Sequence, residues 1–201
     1  MSVKLTKGQK VSLTKENPGL KTIVVGLGWD AATRSGGGIL SSLFGSSGHD
    51  IDCDASAILL QDGVCRSKDD VVYFGNLTHY SRSVRHTGDN LTGDGEGDDE
   101  QIIIDLASVP PQYDRIVIVV NIYAAIQRKQ DFGMIRNAFV RVVDYSNNRE
   151  MLKYDLTENY PGMTAMIFGE VYRHNGEWKF NAVGSGTRDG SISELVKRFS
   201  K

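Results

Sequence analysis

R-I-V-I-V-V-N-I, residues 115–122, is a run of Val and Ile that follows Pro110, Pro111 and Asp114. β-branched side chains fit a pleated surface, and Pro and Asp punctuate the chain before it, so the run reads as a β-strand. The same pattern recurs on both sides. Runs rich in Val, Ile and aromatics lie at residues 10–13, 22–27, 56–60, 71–74, 102–104, 138–143, 151–156, 165–172 and 178–183, separated by Gly, Asn, Asp and Pro. Val140 and Val142, and the Lys153-Tyr154-Asp155 stretch, alternate with the period of two expected of half-buried strands. Many short strands with frequent turns predict an all-β fold, a sandwich of two antiparallel sheets.

Helices are minor in this reading. Ser191 and Glu194 match a capping box, and Ile192, Leu195, Val196 and Phe199 then fall on one apolar stripe. A C-terminal helix is expected there, and a shorter one around residues 131–137. The 201 residues are expected to form one domain over 1–201, with a flexible Gly/Ser insertion at about 35–48. Ile39, Leu40, Leu43 and Phe44 sit inside that insertion with helical spacing, which allows either local packing or a small apolar latch for a partner or membrane surface.

The bulk numbers narrow the function classes. The opening residues lack the apolar run of a signal peptide, and no stretch approaches a membrane span. With only Cys53 and Cys65, a disulfide framework is excluded, and a cytoplasmic location is expected. The net charge of −2 conceals a polar split. Asp30, Asp50, Asp52, Asp54, Asp89, Asp94, Glu96, Asp98, Asp99 and Glu100 hold ten of the 25 acids; without them the remainder is +8.

The acidic part asks for a counterion. Residues 89–100 contain six carboxylates, no cation and three glycines. Two unit charges 4 Å apart repel by about 4 kcal/mol at an effective dielectric near 20. Calcium wants six to eight oxygens from carboxylates, amides, hydroxyls and carbonyls, and this run offers every kind. Upstream, Asp50, Asp52 and Asp54 alternate with Ile51, Cys53 and Ala55 at the mouth of a strand, and Asp30 closes another. Three carboxylate sources at strand ends are expected to converge on one rim. An EF-hand is excluded: counted from Asp89, position three is Leu91 and position six is Asp94 instead of Gly.

Other chemistry is weak. Gly26-Leu27-Gly28 lacks the third glycine of a dinucleotide site, and no Walker A pattern occurs. Gly184-Ser185-Gly186-Thr187-Arg188 is expected to make a strand-to-helix turn. His49, His79, His86 and His174 have no zinc spacing and are expected at the surface.

Residues 4–15 (K-L-T-K-G-Q-K-V-S-L-T-K), 25–30 (V-G-L-G-W-D), 50–60 (D-I-D-C-D-A-S-A-I-L-L), 88–100 (G-D-N-L-T-G-D-G-E-G-D-D-E) and 168–180 (F-G-E-V-Y-R-H-N-G-E-W-K-F) resemble the TerD family. The resemblance implies a bacterial stress protein of the tellurium-resistance type, with a β-sandwich that binds calcium, as two ions, and no known catalytic activity. Carried over by position, its acidic motifs fall on Asp30, Asp52, Asp54, Asp89, Asn90, Asp98, Asp99 and Glu100. Thr92 and Ser56 add hydroxyls, and Gly93 and Gly95 add carbonyls. Expected partners are other stress-response proteins, with peripheral membrane contact allowed and no nucleic acid. Two alternatives stand beside this non-enzymatic reading: a small-ligand binder, for instance of a cyclic nucleotide, and a metal-dependent phosphohydrolase.

Overall fold

The structure, a computed structural model, describes residues 2–31, 51–88 and 97–200. Twelve strands among them form two six-stranded sheets. The first runs β1 (Val3–Leu5), β10 (Arg149–Asp155), β9 (Ile135–Asp144), β3 (Thr22–Ala31), β7 (Glu100–Asp105), β6 (Val84–His86). The second runs β2 (Lys10–Ser12), β12 (Glu177–Thr187), β11 (Ala165–His174), β8 (Arg115–Ile122), β4 (Cys53–Leu60), β5 (Val71–Val72). Only the β1–β10 pair is parallel. This is the antiparallel sandwich that the alternating runs imply.

Burial explains why β8 reads as a continuous apolar run. Ile116, Ile118, Val120 and Ile122 face the core between the sheets, while Val117 and Val119 belong to a second cluster on the outer face. That outer cluster is covered by the C-terminal helix α2 (Ile192–Lys197), through Leu195, which is fully buried, and Ile192, Val196 and Phe199. Ser191 caps α2 by accepting from the Glu194 amide. The Glu194 carboxylate, however, accepts from the amide of Gly190 at 2.7 Å, one residue before the position a reciprocal box would use.

Several local expectations are corrected. The stretch at 131–137 is a single 3-10 turn, Phe132–Met134, capped by Asp131, after which β9 begins at once. A one-turn helix α1 (Ala125–Arg128) precedes it, bracketed by left-handed Ala124 and Lys129. Gly184, Ser185, Gly186 and Thr187 are the end of β12, where the Gly186 α-carbon lies against Tyr160 and Met163 with no room for a side chain. His79 and His86 are buried, because the chain crosses between the sheets there and each imidazole finds a carboxylate, Asp70 and Glu100. Strands β1 and β6, three residues each, are additions to the runs read from the sequence. No helix among the described residues is long and apolar enough to cross a membrane. The Gly/Ser insertion lies outside the described residues.

Candidate metal centre

Register brings the acidic segments to one end. β3 and β7 run antiparallel with Leu27 opposite Glu100, so the end of β3 meets the start of β7. In the other sheet, Cys53 stands opposite Ile122 and opens β4 at that end. Glu100 ties the sheets together: it points inward with Ile102 and Ile104, and its carboxylate accepts from the Ala55 amide of β4. His86 Nε2 lies 3.5 Å from the same oxygen, and His86 Nδ1 accepts from the Gly88 amide at 3.1 Å.

Asp98 is held differently. Its side chain is 1% exposed and accepts from Arg141 Nε at 2.6 Å and Nη2 at 3.1 Å, with Gln101 Nε2 at 3.0 Å. Arg141 alternates with core residues Val140 and Val142, so it stands on the outer face of the first sheet. The carboxylate occupies the space above Gly26, where any Cβ would lie 2.1 Å from Oδ2. Sequence reading finds no cation inside the acidic motifs; the cation comes from β9, 43 positions away. Its weak signal is a charge inserted between two core valines.

Asp99 and Asp30 line the mouth of a cleft of ≈ 870 Å³, with Trp29, Asn137, Phe139 and Tyr160 among its walls. Asp99 accepts from the Trp29 amide at 2.7 Å. Burial pushes its carboxyl up; the Trp29 hydrogen bond opposes this, and Asp30 and Asp98 add to the rise. Asp30 accepts from Asn137 Nδ2 at 2.7 Å. A bulge makes that contact: β3–β9 pairing shifts between Gly28 and Asp30, and Asn137 takes a left-handed φ of 52°. Such bulges re-aim side chains at strand ends. Neither Asp30 nor Asp99 has an ion-pair partner among the described residues.

On the second sheet, Asp54 pairs across to Asn121, whose Nδ2 lies 3.4 Å from Oδ2. The predicted alternation holds: Cys53, Ala55 and Ala57 face the core, and Asp54 and Ser56 face the other way. Ser56 Oγ is buried and has no hydrogen-bond partner among the described residues. Asp52 is partly exposed, 3.6 Å from Arg128 Nη1 of α1. Cys53 registers the whole field: burial pushes its thiol well up, and Asp54, Glu100, Asp52 and Asp99 push it further.

The predicted convergence is therefore partial. Asp52, Asp54, Asp99 and Glu100 crowd one end around Cys53. Asp98 and Asp54 stand on opposite outer faces, Asp98 above Gly26 and Asp54 across from Asn121. Among the described residues no three carboxylate, His or Cys side chains already form a closed metal cage. Asp89, Asn90, Thr92, Gly93 and Gly95, like Asp50, lie outside the described residues.

The TerD domain family matches residues 1–199. The stress response protein SCP2 of Bacillus subtilis (strain 168) is 55% identical over 199 residues, covering 99% of this chain and all of that protein. The tellurium resistance protein TerD of Serratia marcescens is 48% identical over 194 residues, covering 96% of this chain and 95% of that one. The fold is shared with the crystal structure of a TerD homologue from Streptomyces coelicolor A3(2), at a TM-score of 0.63 and 21% identity over 90% of this chain and 99% of that one. With a family match over nearly its full length and relatives of this similarity, the chain belongs to the TerD family of tellurium-resistance and general stress proteins.

Proposed function

We propose that the acidic end binds calcium and that the protein acts in the stress response as a non-catalytic binding or scaffold module. One observation carries this: Asp99, nine-tenths buried beside Asp30, has no ion-pair partner among the described residues, and burial raises its carboxyl from the ordinary value. A divalent ion supplies what that pair lacks, in oxygen chemistry that suits calcium. The unpartnered hydroxyl of Ser56, beside Asp54 on the same strand face, is a second oxygen without an occupant. Asp30, Asp52, Asp54 and Asp99 are the described ligands in this reading, with Asp89, Asn90, Thr92, Gly93 and Gly95 as the further donors expected from sequence. Asp98 and Glu100 serve as posts: their oxygens are taken by Arg141 and Gln101, and by the Ala55 amide.

Two arginines of this end are engaged, Arg141 with Asp98 and Arg128 with Asp52 and the Tyr123 ring. Arg136 and Lys153 line the cleft beside Asp30 and Asp99, so turnover of a phosphoester panel is the check on the phosphohydrolase alternative. The cleft walled by Trp29, Phe139 and Tyr160 favours a second reading, small-ligand binding. Calorimetric titration of cyclic nucleotide with and without calcium separates the two.

Thermal melting tests the calcium reading. An ion at a hundredfold excess over Kd adds about 2.7 kcal/mol. For a domain of this size that is a rise of about 5–10 °C. Magnesium, which gives up its waters reluctantly, is expected to produce little. Equal shifts with both ions at matched ionic strength contradict the reading.

A further inference from the structure

The connection from β8 to β9 presents an unusual surface beside this end. Ile126 is 72% exposed, Tyr123 50% and Met134 36%. All three stand on the connection of residues 123–134, and exposed apolar side chains gathered on one loop suit an interaction site. The backbone holds them out: left-handed Ala124 and Lys129 bracket the single turn that carries Ile126, a conformation that residues with a Cβ adopt at a cost. The turn is fixed from below by Ala125, which is buried, and by the Tyr123 amide donating to the Asp52 carbonyl at 2.7 Å. Ile126 also abuts Gly190, where a Cβ would meet its Cδ1 at 3.0 Å, so residues 188–190 extend the surface.

Charge around the patch is mixed but tilted. Lys129, Arg136 and Arg188 are exposed and Arg128 is partly exposed. Of the nearby acids, Asp189 is paired with Arg198, Asp131 accepts from the Gly133 amide, and Glu194 accepts from the Gly190 amide. Arg128 is the link to the rim, since it lies 3.6 Å from Asp52 and stacks over Tyr123 at 5.0 Å. An ion taken up by Asp52 neutralises the carboxylate that holds Arg128 and releases the guanidinium toward solvent.

We propose that the β8–β9 connection is a membrane-docking loop that seats on anionic phospholipid when calcium occupies the acidic rim; this rests on the calcium reading. Ile126, Tyr123 and Met134 enter the headgroup region, and Arg128, Lys129, Arg136 and Arg188 face lipid phosphates. Apolar anchors beside basic side chains are what an anionic interface recognises. Calcium removes the repulsion between the rim carboxylates and that surface.

The test is co-sedimentation of the full chain with phosphatidylcholine vesicles, with or without phosphatidylserine, in calcium, magnesium or chelator. Calorimetric calcium titration of the same samples runs in parallel. The expected result is binding only with phosphatidylserine and calcium together. Ile126→Asp is expected to weaken it at least about tenfold, as loss of one buried aliphatic anchor implies, with calcium affinity unchanged. Calcium binding without vesicle binding, or wild-type vesicle binding by Ile126→Asp, overturns the docking loop alone. Absence of calcium binding overturns the rim reading and the coupling with it.

Discussion

Arg141 grips both oxygens of Asp98, Nε to Oδ1 at 2.6 Å and Nη2 to Oδ2 at 3.1 Å, and the carboxylate rests where Gly26 has no side chain. Three segments meet in this contact: the start of β7, the middle of β9 and the middle of β3. It fixes where the acidic run enters the sheet. Bidentate guanidinium pairs are among the stronger polar contacts, and their geometry sets register as well as energy.

Removing one partner leaves the other exposed to the cost of an unpaired charge. Arg141→Ala strands a carboxylate that is 1% exposed and is expected to destabilise by about 3 kcal/mol in denaturant unfolding. Gly26→Ala is expected to cost a similar amount, because the carboxylate in its way is pinned by Arg141 and cannot swing aside. A loss below about 0.5 kcal/mol in either variant means the pair does not hold the fold.

Asp99 sets a pH dependence. Burial raises its folded-state carboxyl above the unfolded value. Folding therefore favours the protonated form: the contribution is present below the unfolded pKa, about 3.9, and is lost as pH rises through the folded value. Metal-free protein should lose stability across this window relative to Asp99→Asn. Calcium, which needs the ionised carboxylate, should bind more weakly as pH falls through the same window. Scanning calorimetry across mildly acidic pH reads the first effect; an identical pH profile in Asp99→Asn contradicts it.

Leu195 anchors α2 to the outer face of the second sheet, against a cluster that includes Ile58, Val117 and Val119. Leu195→Ala is expected to cost about 2–4 kcal/mol by cavity formation. The site lies at the strand ends, so calcium affinity should be unchanged. A large affinity loss in this variant would tie the helix to the ion site, which the geometry does not.

The strands were legible where burial imposes a period. β8 is apolar on both faces because α2 covers one and the core the other; β9 alternates because its outer face carries Phe139 and Arg141. Edge strands β1 and β6 were not read, although β2, equally short and also at an edge, was read at residues 10–13. The carboxylates were legible as a composition, and their strand-end position followed from where the apolar runs stop. Their partition was not. Whether a carboxylate meets an arginine or stands without one depends on register between segments some 40 positions apart, as with Asp98 and Arg141. The bulge at Asn137 that turns Asp30 and the amide together is equally invisible, because Asn tolerates a left-handed φ without announcing where it adopts one.

Isothermal calorimetry of calcium into metal-free protein tests the central claim most directly, with magnesium as control and Asp99→Asn and Asp98→Asn as the paired variants. The expected result is saturable calcium binding with magnesium far weaker, lost by at least about tenfold in Asp99→Asn, one ligand's worth of about 1.4 kcal/mol, and much less affected in Asp98→Asn. No calcium heat, or equal loss in the two variants, contradicts the account.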